Sequence, residues 1–278
     1  MIAFGYGCQV SIDTPTVSSG SLTTTDAANL STPNLQKVCT LAASGMSTDG
    51  AGRYGYIGIN LNGQDFRADS TRWLVALLNA TLPANSKIVE TSDDGTTTTN
   101  QTLLDGTPVD RRGALRHYVL ANTSNMNGSA GADFQFRFYT PSPIATLTIG
   151  RVWASPFLDV TNFELAEQAD KAGSQARATE SSAGQVYGVA RPGGRVVGVR
   201  LETKPGDSIA DLMTFLELSG RSRHVLFAPK APAAGTPVSP AADAWHPRIV
   251  HGLLAADPTI QHLGANRFSC ELEVVESL

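Results

Sequence analysis

Five histidines are the side chains of this sequence best suited to bind a metal ion or to transfer a proton near neutral pH. They are His117, His224, His246, His251 and His262. The last three fall within 17 residues, but their spacings of five and eleven place no two of them on adjacent turns of one helix. No cysteine and no Glu-x-x-His pattern lies nearby. The pattern favours surface or hydrogen-bonded histidines over a metal centre, and we expect neither a metal nor another cofactor.

The motifs of nucleophilic and acid–base catalysis are missing from the sequence. There is no Gly-x-Ser-x-Gly elbow. The glycine-rich segment 191–195 lies between two alternating segments, which favours a hairpin turn over a phosphate-binding loop. Asp93 and Asp94 follow each other in a polar segment, where a carboxylate pair lacks the burial that shifts a pKa. We therefore expect that the chain is not an enzyme.

Exposed aromatic side chains beside amides and carboxylates are typical of sugar-binding sites on β-sandwiches, because the rings stack on the apolar face of a sugar. The candidates here are Tyr54, Tyr56 and Trp73, with Asn60, Asn79 and Asp65. In the alternative interpretation, Trp73 belongs to the core and the two tyrosines follow the edge of a strand.

Alternating apolar and polar residues predict strands along the whole chain. The runs begin at Ile57, Phe134, Val197 and Phe268. The segment from Trp73 to Leu78 is almost wholly apolar, which indicates a strand covered on both faces or a short buried helix. The polar segment from Thr91 to Gln101 predicts an exposed loop. The fold class is therefore mainly β.

One α-helix is predicted at about 207–219. Asp207 or Ser208 caps its first turn, and Gly220 supplies a left-handed stop. The spacing predicts an apolar face formed by Ile209, Leu212, Met213 and Leu216.

Length and charge narrow the classes of function. The chain has 278 residues, which favours two domains, and a net charge of −4, which gives no general attraction to nucleic acid or to anionic membranes. The three cysteines are too few for a disulfide framework, and no apolar run is long enough for a signal peptide or a membrane span. We expect a soluble protein made in a cytoplasm, without nucleic acid as partner and without membrane insertion.

Several strings resemble tail-tip proteins of long-tailed bacteriophages. The string ATLTIGRVWASP (145–156) resembles the strand and turn that end a galactose-binding-like jelly roll in those proteins. Upstream, YIGINLNGQDF and TRWLVALLNATLPANSKI resemble paired strands of discoidin-like phage modules. Downstream, SSAGQVYGVARPGGRVVGVRLE and the helix that precedes RHVLFAPK resemble the split-barrel region of distal-tail or hub proteins.

The resemblance implies an N-terminal β-sandwich of the galactose-binding-like, jelly-roll type in residues 1–155. It implies a C-terminal, barrel-like β domain that carries the helix in residues 156–278. It further implies a non-enzymatic component of the virion, assembled in the host cytoplasm as a ring, commonly a hexamer, that joins the tail tube to the hub and fibres. In this sequence the jelly roll precedes the barrel-like part, which departs from the simplest arrangement. The alternative is a receptor-recognition module that binds a host surface glycan.

Arginines are the predicted contact residues of such a ring, because arginine suits pairing at interfaces. The candidates are Arg191, Arg195, Arg221 and Arg223. The alternative is that these side chains are simply solvated.

Overall fold

The computed structural model describes residues 3–8, 23–42, 47–49, 52–59, 73–81, 86–93, 98–106, 117–123, 134–140, 146–160, 164–172, 177–180, 186–189, 195–203, 209–229, 249–264 and 266–277. Its elements are β1 (Ala3–Tyr6), β2 (Thr23–Thr25), a 3-10 helix (Ala27–Ser31), β3 (Cys39–Ala42), β4 (Ser47–Asp49), β5 (Gly52–Ile59), β6 (Trp73–Thr81), β7 (Ser86–Asp93), β8 (Thr98–Gly106), β9 (His117–Thr123), β10 (Phe134–Thr140), β11 (Thr146–Asp159), β12 (Glu164–Ala172), β13 (Arg177–Glu180), β14 (Val186–Val189), β15 (Arg195–Glu202), α1 (Ala210–Ser219), β16 (Val225–Ala228), β17 (Val250–Leu254), β18 (Ile260–Gly264) and β19 (Arg267–Glu276).

An open, antiparallel sheet of twelve strands dominates the described part. Its main order is β12-β15-β19-β17-β16-β1-β11-β3-β2, with β18 added beside β19, β6 beside β11, and β9 beside β6. A second sheet has the order β4-β5-β10-β7-β8, and β13 pairs with β14. The predicted fold class, mainly β with an α-helix near residue 210, is confirmed.

Strand β11 pairs with three other strands of the large sheet. It pairs with β3 at its start, with β6 through its middle and with β1 at its end. The expected domain boundary between residues 155 and 156 lies inside this continuous strand, and β1 pairs with β16 from the other side of that boundary. The division into two domains stays a prediction.

The two faces of the sheet around β1 cover different cores, because alternate residues of a strand point to opposite faces. We call the first the helix-side core. It joins Phe4 of β1 to Phe215 of α1 and Phe227 of β16, and the Phe4 ring centroid lies 5.8 Å from that of Phe215 and 4.9 Å from that of Phe227. Alternate residues of β15 and β19 complete it: Val197, Val199, Leu201, Cys270, Leu272 and Val274. The alternation predicted for these two strands is confirmed.

The helix α1 covers this core with Leu212 and Phe215. The predicted face was wrong for Met213, which is 42% exposed, because residues 212, 215 and 219 share the buried face. The helix ends before Gly220, as predicted, but the φ of 51° and ψ of 179° at Gly220 are not those of the left-handed helical conformation. The helix begins at 210, and its N-cap, Ile209, makes no side-chain capping bond. Asp207 and Ser208 lie outside the described residues. At ten residues α1 is too short to cross a membrane, and no helix in the described ranges is long and apolar enough to do so.

The second face carries the tryptophan-side core, in which Trp153 of β11 packs among Ala3, Leu74, Leu78 and Leu226. Residues 74–78 of β6 are wholly buried, so the interpretation of this apolar run as a strand covered on both faces is confirmed.

The prediction of an exposed loop from Thr91 to Gln101 was wrong for most of its length. Strand β7 continues to Asp93, β8 begins at Thr98, and the register pairs Thr91 with Asn100. The backbone of this polar segment forms a regular antiparallel ladder, which requires no apolar side chain, and threonine favours the extended conformation.

Candidate functional site

A cavity of about 290 Å³ opens where β16 begins. Its lining comes from the residues after β1, from the middle of β11 and from the segment that leads into β16. It includes Cys8, Arg151, Trp153, Ser222, Arg223 and His224.

The sheet register brings this lining together from distant parts of the sequence. Arg151 and Trp153 are two residues apart in β11 and therefore share a face. Strand β17 lies beside β16 with His251 opposite Leu226, so His251 comes close to His224 at the start of β16.

Arg151 is the central charge of the site and is only 9% exposed. Its NH1 atom lies 3.1 Å from Nε2 of His251. Since a guanidinium only donates hydrogen bonds, Nε2 must accept, and His251 is neutral with its proton on Nδ1. The Cζ atom of Arg151 also lies 5.0 Å from the centroid of the Trp153 ring, within the range of a cation–π interaction.

The charge of Arg151 has no carboxylate partner in the described part of the chain. No described Asp or Glu forms an ion pair with it, and its buried Nε atom has no hydrogen-bond partner there. A guanidinium keeps its proton at every physiological pH, so this positive charge is permanent.

Aromatic contacts hold the surrounding rings in place. The imidazoles of His224 and His251 stack with centroids 4.8 Å apart and planes inclined by 6°. Trp153 contacts His251 edge to face at 5.4 Å. The indole Nε1 of Trp153 donates to Oγ of Ser155 at 2.8 Å, which fixes the indole orientation.

Burial, and next the positive charge of Arg151, lower the pKa of His224 below its ordinary value of 6.5. At neutral pH the lining therefore combines the fixed charges of Arg151 and Arg223 with the neutral imidazole of His224. Such a set attracts anions. Within the described ranges, no group of three or more His, Cys, Asp or Glu side chains is arranged to hold a metal ion.

A larger groove of about 540 Å³ lies over β15 and β19. Its charged lining is mainly acidic, since Asp257, Glu271 and Glu273 face it together with Arg200, which pairs with Glu202 at 3.3 Å. Glu271 and Glu273 are exposed to solvent, whereas Arg151 is buried. The charge at Arg151, unpaired among the described residues, is therefore the more costly one.

The predicted sugar-binding residues lie in two different sheets. Tyr54 and Tyr56 are in β5 of the five-stranded sheet, whereas Trp73 is the first residue of β6 in the twelve-stranded sheet. Asn60 and Asp65 lie outside the described residues. Asn79 is in β6, where its side-chain amide donates to the carbonyl oxygen of Leu35 at 2.6 Å. A common site formed by these residues stays a prediction.

The predicted contact arginines have partners within the chain. Arg195 forms an ion pair of 2.6 Å with Glu276 and donates to the carbonyl oxygen of Ile249. Arg221 and Arg223 are exposed and donate to the carbonyl oxygens of Ala255 and Leu218. Arg191 lies outside the described residues. Whether these arginines contact another subunit stays a prediction.

The sequence analysis missed the Arg151 cluster because it judged the histidines by their spacing along the chain. Arg151 and His251 are 100 residues apart, and only the pairing of strands brings them together. The one local signal was Arg151 itself, which interrupts the apolar run around Val152 and Trp153. A charged residue is rarely buried in such a run unless it is paired or serves a function.

Comparison with known proteins gives no family for this chain. No protein-family model matches the sequence. No curated protein matches it either.

Proposed function

We propose that this chain is a non-enzymatic structural protein of the tail tip of a long-tailed bacteriophage. In this proposal, copies of the chain assemble in the host cytoplasm into a ring, expected to be a hexamer, that joins the tail tube to the hub and the fibres of the virion. Residues 1–155 would form a galactose-binding-like jelly roll, and residues 156–278 a split-barrel domain.

The observation that carries the proposal is the position of β8 at one edge of the five-stranded sheet, as far as the described strands extend. This nine-residue strand ends the five-stranded sheet and pairs, among the described strands, with β7 alone. It contains one charged residue, Asp105. An edge strand with little charge can add a strand from another chain through its backbone groups. In contrast β12, at one end of the large sheet, has four charged residues, which discourage such pairing.

The placement of the phage-like strings is compatible with this role. They fall on β5, β6, β11, β15 and β16, and the string on β16, RHVLFAPK, follows α1. Strands that build extended sheets, with neighbours on both sides of β11, suit a protein whose task is assembly.

The test is the size of the purified full chain, measured by light scattering and negative-stain microscopy, alone and with neighbouring tail proteins. We expect a closed ring. A strict monomer under every condition would refute the proposal.

Two neighbouring proline variants in the regular part of the β7–β8 ladder, Asn100→Pro and Gln101→Pro, make a matched pair for this test. Along an edge strand, successive N–H groups point alternately to the paired strand and outward. One variant therefore breaks the β7–β8 ladder, and the other removes an outward donor. We expect the variant that keeps the melting temperature of the wild type to lose the ring. If that variant still forms rings, the β8 edge is not the contact.

A second candidate function is recognition of a host surface glycan. The observation that favours it is the register of β5 and β10, which sets Tyr54 opposite Tyr139 and Tyr56 opposite Arg137. This register sets aromatic and basic positions of the two strands beside each other. A glycan array tests the candidate: binding should be lost in the double variant Tyr54→Ala/Tyr56→Ala and kept in Trp73→Ala, which changes the other sheet. An array without any bound glycan refutes it.

A further inference from the structure

The cavity at the start of β16 sets a buried positive charge beside open space. Arg151 lines this cavity, is 9% exposed, and leaves its Nε atom without a hydrogen-bond partner in the described part of the chain. A buried charge is costly unless an opposite charge or several hydrogen bonds compensate it. The contacts to His251 and Trp153 supply one hydrogen bond and one ring face, but no negative charge.

The other polar groups of the lining would also favour a negative ligand. Arg223 and His224 face the cavity from the segment before β16, and Ser222 adds a hydroxyl group. The described lining contains no Asp or Glu that would repel an anion or neutralise the arginines. The volume of about 290 Å³ is at the lower end of the range of small-molecule sites, roughly 300–1,000 Å³.

We propose that this cavity binds a small oxyanion, a phosphate or a carboxylate group, with Arg151 as its main partner. Arg151 offers planar donors that match the oxygens of such a group, and Arg223 adds charge from the cavity lining. This site goes beyond the proposed role in the tail tip and does not depend on it.

The competing explanation gives Arg151 a structural role alone, as a bridge between His251 and the ring of Trp153. The two explanations differ in the effect of added anion. A structural bridge is indifferent to millimolar phosphate or acetate, whereas a binding site is occupied by one of them at a concentration near its dissociation constant.

Cys8 gives a direct measure of occupancy, because its partly exposed thiol lines the same cavity. The experiment follows the alkylation of Cys8 in the full chain by the neutral reagent iodoacetamide, using peptide mass spectrometry. Separate arms contain inorganic phosphate, sodium acetate, or sodium chloride at the same ionic strength. Saturable protection by phosphate or acetate supports the site, and the arm that protects identifies the oxyanion. We expect about tenfold slower alkylation at about 10 mM of that anion, which corresponds to a dissociation constant of about 1 mM.

The variant Arg151→Gln should lose this protection. The matched control is Arg221→Gln, which removes an exposed arginine outside the cavity and should keep it. Cys39 and Cys270 report on folding in the same samples, because burial raises the pKa of each thiol to about 11 and both stay unreactive while the core is intact. Failure of both anions to protect the wild type, or equal protection in folded Arg151→Gln, would overturn the proposal.

A measurement on the wild type covers the case in which Arg151→Gln does not fold. A bound anion offsets the charge of Arg151, so it should raise the pKa of His224 in a histidine NMR titration with acetate, with His224→Gln used for assignment. The groups that face His224 in this site are Cys8, Arg151, Arg223 and the stacked ring of His251. If phosphate is the protecting anion, the same titration is run with phosphate. An unchanged pKa of His224 at a saturating concentration would refute the site.

Discussion

On the helix side of the sheet, the rings of Phe4, Phe215 and Phe227 pack against one another, whereas on the tryptophan side Trp153 combines apolar neighbours with contacts to Ser155, His251 and Arg151. The first core is held by burial of apolar area, which is non-directional and tolerates small shifts. The second adds hydrogen bonds and a cation–π contact, which require defined distances. The two faces of one sheet thus differ in how strongly their cores depend on the geometry of individual contacts.

The largest effect is expected on the helix side. Phe215→Ala leaves a cavity between α1 and the rings of Phe4 and Tyr6, and it should lower the free energy of unfolding by about 3–5 kcal/mol. Urea denaturation followed by circular dichroism measures this loss. The control is Met213→Ala on the exposed face of the same helix, for which a change within about 0.5 kcal/mol is expected. Equal losses in the two variants would contradict the assignment of the buried face.

Close packing between β17 and β19 predicts the next effect. A Cβ atom at Gly252 would collide with the carbonyl group of Val275, which is backbone and cannot rotate away. We expect Gly252→Ala to cost up to about 3 kcal/mol. At Gly198 in β15 an added Cβ meets nothing within 4 Å, so Gly198→Ala should leave the urea midpoint nearly unchanged. If Gly252→Ala leaves the stability unchanged, β17 and β19 are further apart than this close contact implies.

The third effect concerns a single hydrogen bond on the tryptophan side of the sheet. Ser155→Ala removes the acceptor of the buried Nε1 of Trp153, and an unsatisfied buried donor costs roughly 1–2 kcal/mol. The measurement is urea denaturation, with Ser222→Ala, which changes an exposed serine, as control. If Ser155→Ala is as stable as the control, the orientation of Trp153 depends on packing rather than on this bond.

The smallest effect concerns pH. Because the pKa of His224 is lower in the folded chain than its ordinary value of 6.5, the unfolded chain takes up the proton first as pH falls. Stability should therefore decrease as pH falls from about 6.5 toward the lower folded value. Urea denaturation at pH 7.5 and 5.5 should show that the free energy of unfolding decreases less in His224→Gln than in the wild type. The control is His262→Gln, which changes an exposed histidine. If the two variants lose equal amounts of stability between pH 7.5 and 5.5, His224 is not the source of the pH dependence.

The helix-side core was predictable from sequence because its signal is local. In β15 and β19 every second residue is apolar, and this period alone assigns Val199 or Leu272 to the core. Where the signal was weak, the prediction failed. The polar residues around Thr99 form a strand because backbone hydrogen bonds supply the ladder, and composition does not reveal that pairing.

The Arg151 cluster could not be predicted in the same way. Its members come from β11, from the start of β16 and from β17, and no periodicity relates residue 151 to residues 224 and 251. Their meeting depends on strand order and register, which are non-local properties. The structure therefore contributes most at the Arg151 cluster, whereas the sequence alone identifies the strands in which apolar and polar residues alternate clearly.

The continuity of β11 also has a mechanical consequence. Fourteen residues of one strand hydrogen-bond to β1, β3 and β6, and antiparallel ladder bonds run perpendicular to the strand. A pull along β11 loads these bonds together in shear, whereas a pull on a terminal hairpin opens its bonds one after another. A pulling force applied near Thr146 is thus distributed over the neighbouring strands before it reaches Asp159.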